Sequence, residues 1–215
     1  LVGSEMCIRD SGGCQGLMGW YMVQSGLVDR PDVSQYRLTA HLGLAIAIYA
    51  YIVWLTIGLF SPERQKRDGA LNSVFIIIGL VYLMILSGGF VAGTNAGLSF
   101  PTWPLMGDSF IPSALYRDGV TSAFEQVTTI HFNHRMLAYL TGLVLVTAAV
   151  HGLLTSTDRR LKLASLLMLI AVCFQIVLGI STVLSHVDLT IAAGHQSGAV
   201  VLLTTVLFWS HAFST

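Results

Sequence analysis

The stretch His131-Phe132-Asn133-His134-Arg135-Met136-Leu137-Ala138-Tyr139 puts two imidazoles and a guanidinium at the mouth of an otherwise apolar helix. An ionisable side chain inside a membrane span is costly to bury and marks function by default. His134 has two counterparts, His41 and His195, each a turn or two inside its own apolar run. Three histidines at one depth point to a buried metal or cofactor.

The flanking sequence makes these runs membrane spans. The 215-residue chain is 54% hydrophobic and 10% charged, with a mean hydropathy of +0.72, whereas an ordinary soluble domain carries about 25% charged residues. Eleven Lys and Arg balance eleven Asp and Glu, so no net field recruits nucleic acid, and that class of partner is excluded. Cys7, Cys14 and Cys173 show neither paired spacing nor a Cys-x-x-Cys, which argues against a disulfide framework or a zinc site.

Residues 1–12 have no helical apolar period and no signal-peptide layout. They read as a linker-like, non-native segment. Apolar sequence begins at Gly13 and stops at Gln24, short of the roughly 20 residues a span requires, so 13–24 reads as the tail of a truncated helix. Five complete spans follow, near 37–60, 72–95, 130–153, 162–184 and 191–213. Lipid admits only helices or closed barrels, and these runs lack the alternation of barrel strands. The expected fold is all-α, a polytopic membrane helix bundle.

Basic residues orient it. Arg64, Lys66 and Arg67 crowd one short loop and Arg159, Arg160 and Lys162 another, while the alternate connections carry Asp29, Asp32, Asp108, Asp118, Glu125 and Asp188. The basic loops are therefore expected in the cytoplasm (or matrix), and the long 94–128 loop on the opposite side. His41, His134 and His195 then all enter from the extracytoplasmic side. The long loop holds Phe100, Pro101, Trp103, Pro104, Leu105 and Met106; this interfacial composition suits either a lid over the bundle mouth or an aromatic belt anchor.

A weak repeat divides the chain. Gln15-x-x-x-Gly19 and Gln175-x-x-x-Gly179 are each followed, after a short loop, by a span with an N-terminal histidine, His41 and His195. On this reading 72–213 is a complete four-helix unit and 13–60 the second half of another, with two helices expected upstream.

Imidazoles in an apolar four-helix interior suit heme iron, with histidines on facing helices as axial ligands. His134 and His195 form the natural pair, and His41 belongs to the other unit. Arg135 follows one ligand directly and Arg37 lies four residues before His41, placing guanidinium groups where heme propionates could pair with them. Gly194 and Gly198 flank His195, and Gly89, Gly93 and Gly97 run at four-residue spacing; both sets admit close approach of a helix or a flat macrocycle. His131 stays open as an alternative ligand or a hydrogen-bonding neighbour. His151, His211 and His186 read as interfacial groups.

These residues resemble a known family. Gln-Gly-Leu-Met-Gly-Trp-Tyr-Met-Val-Gln-Ser-Gly-Leu from Gln15, Tyr-Arg-Leu-Thr-Ala-His-Leu-Gly-Leu-Ala from Tyr36, Gly-Gly-Phe-Val-Ala-Gly from Gly88, Phe-Asn-His-Arg-Met-Leu-Ala-Tyr from Phe132 and Gly-His-Gln-Ser-Gly-Ala from Gly194 resemble heme A synthase of the mitochondrial and proteobacterial type. The resemblance covers Gly13 to Phe213. It implies a membrane oxidoreductase of eight spans in two pseudo-symmetric halves, which oxidises the C8 methyl of heme o to the formyl of heme a by successive hydroxylations and loss of water. It implies heme b as cofactor between His134 and His195, heme o as substrate, and His41 as a catalytic histidine of the substrate half. Its partners would be heme o, heme O synthase and the lipid bilayer, with self-association left open. The setting would be the bacterial inner membrane, or the mitochondrial one, with heme sites toward the extracytoplasmic side.

The chain departs from that pattern in lacking the family's second helix, with its glutamate and first histidine, and the loop cysteine pair of some members. The chain as given is therefore expected to bind heme without making heme a. One rival is a two-heme cytochrome b electron carrier. Another, a paired-repeat transporter, calls for broken helices or midplane charges that these spans do not have. Reporter tags in the 61–72 loop and at Thr215 should report the cytoplasmic face, and a tag within 108–125 the opposite face.

Overall fold

The computed structural model describes residues 2–24, 32–61 and 70–214. The helices are α1 (Val2–Val23), α2 (Gln35–Leu59), α3 (Ala70–Gly93), the single turn α4 (Ser122–Glu125), α5 (Val127–Thr155), α6 (Arg159–Leu184) and α7 (Leu189–Ser214). Five of them are long and apolar enough to cross a membrane: α2, α3 from Asn72, α5, α6 and α7. This is the expected all-α bundle, an integral membrane protein. Each span begins a few residues before its apolar run, because polar residues continue the helix and cap it. Asp158 accepts the Arg160 amide at 3.0 Å, and Asp188 accepts those of Thr190 and Ile191 at 3.0 and 3.2 Å, which satisfies first-turn donors with no helical partner.

The segment read as a linker is helical. α1 runs without a break from Val2 through Gly13 to Val23. No proline interrupts it, and a helix propagates more readily than it nucleates; none of its described side chains is buried, and a missing apolar period does not forbid a helix. The basic loop with Arg64, Lys66 and Arg67 lies outside the described residues, as do Asp29 and the side chain of Cys7. Cys14 and Cys173 are free thiols.

Packing defines a ring. α3 and α6 each neighbour both α5 and α7, so α5 and α7 face each other across a four-helix bundle. α2 lies outside, against α3 and α7, and α1 lies against α2. The buried core fills only one half of this ring. Along α6 the buried residues stop at Val172, and along α7 they begin at Leu202. With Leu145, Ala149 and Gly152 of α5 they pack at the end remote from the 94–126 loop. Trp209 closes that end by donating Nε1–H to the Ser165 hydroxyl at 3.0 Å, over Gly152, where a Cβ would meet both side chains.

Glycine also sets the α2–α3 contact. A Cβ on Gly93 would lie 2.8 Å from the Cα of Gln35, and one on Gly89 3.0 Å from the Thr39 hydroxyl. The Gly89–Gly93 row is thus helix packing. Gly93→Ala should lower stability by about 1–3 kcal/mol through overpacking, read as the midpoint of thermal unfolding in detergent. Gly79→Ala, with nothing within 4 Å of its Cβ position, should leave that midpoint unchanged or raise it.

Candidate functional site

Helix starts bring the three histidines to one level. α2, α5 and α7 all begin at the end that carries the long loop, and His41, His134 and His195 follow the first helical residues Gln35, Val127 and Leu189 by six, seven and six positions. At about 1.5 Å per residue each ring sits roughly 10 Å inside its helix. This is the half of the bundle away from the buried core.

His134 and His195 share a pattern of support. The Ser87 hydroxyl of α3 meets Nδ1 of His134 at 3.0 Å. On α6, Gln175 Nε2 lies 3.1 Å from Nδ1 of His195 and donates to the His195 carbonyl at 2.8 Å. The His195 ring packs on Gly179, where a Cβ would come within 2.9 Å of Cε1, and the His134 ring lies beside Gly88, where the corresponding distance is 3.5 Å. Among the described residues Nε2 of neither ring takes a hydrogen bond.

Imidazoles fastened through Nδ1 with Nε2 unbonded are suited to ligate a metal through Nε2. No group of three or more His, Cys, Asp or Glu side chains among the described residues could hold a metal ion. A paired-imidazole site for heme iron needs only two, on helices that face each other, and α5 and α7 meet that condition. The donor set therefore fits heme.

His41 repeats the arrangement on α2. Gln15 Nε2 lies 3.3 Å from His41 Nε2 and 3.2 Å from the His41 carbonyl, and a Cβ on Gly19 would sit 3.1 Å from Cε1 of the ring. The Gln-x-x-x-Gly repeat is thus a repeat of contacts, although the ring nitrogen facing the amide differs. Arg37 donates to the Tyr21 carbonyl at 2.9 Å and stacks 3.9 Å above the Tyr21 ring, so it ties α2 to α1.

Arg135 is anchored to the long loop. It is 6% exposed, and its guanidinium donates to His131 Nε2 at 3.1 Å and to the carbonyls of Leu105, Phe100 and Thr102 at 3.1, 2.9 and 2.8 Å. Three loop carbonyls and the His131 ring thus surround the group. The loop is tied to α5 elsewhere too. The Tyr116 hydroxyl donates to Asn133 at 3.0 Å, and Gln126 donates to the Ala114 carbonyl at 2.6 Å. The helical turn Ala96–Leu98 touches α3 and α5, and Gly97 approaches Val187 of the α6–α7 connection. The start of the loop therefore bridges the bundle end, as a lid does.

The glycines beside His195 face α6. A Cβ on Gly198 would collide with Gln175 Oε1, so this glycine makes room for the amide, and Gly194 is in ordinary contact with Leu178. At the other end His211 rests against Trp54 with ring centroids 5.3 Å apart, and His151 bonds within its own helix to Thr155. Ser87 was missed at the sequence level, since a lone serine in an apolar helix carries no pattern.

Residues 7–207 match the family COX15-CtaA, described as cytochrome oxidase assembly protein. The chain is 45% identical over 207 residues to the heme A synthase of Nitrosospira multiformis, covering 93% of this chain and 58% of that protein. It is 41% identical over 212 residues to the heme A synthase of Paramagnetospirillum magneticum, covering 93% and 58%, and 39% identical over 211 residues to heme A synthase COX15 of Bos taurus, covering 90% and 50%. The chain thus spans between half and three fifths of the length of these relatives.

Hydrogen bonds to a charged group contribute about 1.5–3 kcal/mol each, and Arg135 makes three to one short segment of backbone. Arg135→Gln should therefore free residues 99–106, read as faster amide exchange and earlier proteolytic cleavage there, with exchange in α6 and α7 unchanged.

Proposed function

The chain belongs to the COX15-CtaA family of cytochrome oxidase assembly proteins, and from that membership we propose that it acts as a heme A synthase, oxidising the C8 methyl of heme o to the formyl of heme a for terminal oxidase assembly. The observation that carries this reading is the placement of His134 and His195. They stand on facing helices in the half of the ring that the buried core leaves, each fastened through Nδ1.

In this reading α3, α5, α6 and α7 form a heme b unit, and α1 and α2 belong to a second unit that takes heme o. A heme b bound between His134 and His195 supplies one-electron transfer. The chain's own residues do the rest. Ser87 and Gln175 keep both imidazoles from rotating away, and the Leu145, Met168, Leu203 and Trp209 core keeps water from the cytoplasmic side out of the bundle. Arg135 holds the loop over α5 and contributes a fixed positive charge one residue from His134, which favours the reduced, more negative state of a neighbouring redox centre. His41 is the substrate-side ligand, held by Gln15 and Gly19. The two heme sites face the extracytoplasmic side, in a bacterial inner membrane or its mitochondrial counterpart. Heme O synthase is the partner that supplies the substrate.

Pigment extraction from the purified full-length protein tests the reading. Heme o or heme a beside heme b supports the synthase; heme b alone favours an electron carrier; no heme contradicts both. His134→Ala and His195→Ala should each abolish a six-coordinate low-spin heme spectrum, and His151→Ala should retain it. Loss of that spectrum in His131→Ala but not in His134→Ala would show the ligand pair to be misassigned.

A further inference from the structure

The long loop does not stay above the bundle. His131, Arg135 and Tyr139 follow one another at four-residue spacing and form one stripe of α5, and successive loop residues meet that stripe in order. The Phe100 ring lies 6.2 Å from the His131 ring, the carbonyls of Phe100, Thr102 and Leu105 accept from Arg135, and Phe110 stacks on Tyr139 with centroids 6.3 Å apart and planes 15° from parallel. The chain then climbs back, for Tyr116 reaches Asn133 through its hydroxyl and the Thr129 hydroxyl through its amide. Residues 100–116 are thus a re-entrant hairpin laid along the first turns of α5.

Helix length fixes how deep the hairpin goes. The 29 residues of α5 measure about 43 Å, against roughly 30 Å of hydrocarbon. Centred in the bilayer, α5 leaves about 7 Å outside at each end, which puts the boundary near His131. Tyr139 comes two turns later, so the ring on which Phe110 stacks lies on the hydrocarbon side.

The tip has the chemistry for that position. Phe110 is 46% and Ile111 64% exposed, beside Leu140 at 51% and Leu143 at 68% on α5. Their exposed surface continues the uncovered, lipid-facing side of that span. The turn uses its polar atoms internally: the Met106 amide donates to the Ser109 carbonyl, the Gly107 amide to the Thr102 hydroxyl, that hydroxyl to the Leu105 carbonyl, and the Ser109 hydroxyl to the Ile111 carbonyl. Irregular backbone needs such partners before it can leave water. Asp108, exposed in the same turn, sets the limit of entry, because a carboxylate stays with the headgroups. The aromatic-rich run of the sequence turns inward by contrast, with Met106 3% exposed and Phe100 against His131.

We propose that Phe110 and Ile111 form a membrane-inserted wedge: the hairpin tip docks into the headgroup–acyl boundary of the leaflet at this end of the bundle, with phospholipid acyl chains as its partner. Interfacial apolar surfaces of this kind reach about 5–10 Å into that boundary. Lipid then holds the tip from outside while Arg135 holds the descending limb from within, whatever the histidines ligate.

Nitroxide labels test the depth. Phe110→Cys, Ile111→Cys, Leu143→Cys and Asp118→Cys are each labelled in full-length protein with the native cysteines replaced by serine, in vesicles of phosphatidylcholine and phosphatidylglycerol. Collisions with oxygen should exceed those with a water-soluble nickel chelate at 110 and 111, as at the lipid-facing 143, with the order reversed at 118. Nickel access at 110 and 111 equal to that at 118 would overturn the proposal. A second reading keeps the aromatic ring in place: p-benzoylphenylalanine at position 110 should, on irradiation, give phospholipid adducts. Adducts to a second copy of the chain with none to lipid would assign the face to self-association and overturn it as well.

Discussion

A polar side chain inside an apolar span has no water to bond with, so each one must find its partners in the protein. The loop-bearing end of this bundle is arranged around that requirement. Arg135 meets it with three backbone carbonyls and His131, His134 with Ser87, His195 with Gln175, and His41 with Gln15. Every one of these partners comes from a different helix or loop, His131 apart. The same bonds that satisfy the buried groups therefore fix how α1, α2, α3, α5, α6, α7 and the loop meet.

The other end carries the packing. Leu145, Ala149, Ala164, Met168, Leu203, Val206 and Leu207 close the ring over a short length, and small residues at Gly152 and Ser165 let Trp209 seat between helices. A bundle closed at one end can hold its helices apart at the other without losing its register. Polar ends and apolar packing thus divide the labour, and the histidines fall where packing is lightest.

The spans were legible in the sequence because hydropathy is a property of composition summed over about 20 residues, and that sum survives errors at single positions. The histidine level was legible for the same reason, since counting from span starts fixes depth. What the residues bond to was not. Arg135 follows His134, which suggested an acidic group of a cofactor; nothing local announces that carbonyls some thirty residues upstream fold back onto it. The helical course of residues 2–12 escaped because a helix can form without an apolar period to announce it, and none of the described side chains there is buried. The Gln-x-x-x-Gly repeat was visible as a pattern, and its meaning emerged only when both glutamines were found against histidines.

The central claim is that His134 and His195 together ligate one heme in the loop-end half of the α3, α5, α6 and α7 ring. An experimental density map of the membrane-embedded protein purified with its native pigment tests it most directly. The account predicts a flat macrocycle between α5 and α7 with its iron bonded to Nε2 of both histidines, Ser87 and Gln175 on the Nδ1 sides, and Arg135 still on the loop carbonyls. Iron bonded to His131, or a macrocycle lodged outside that ring with His134 and His195 unligated, would contradict it.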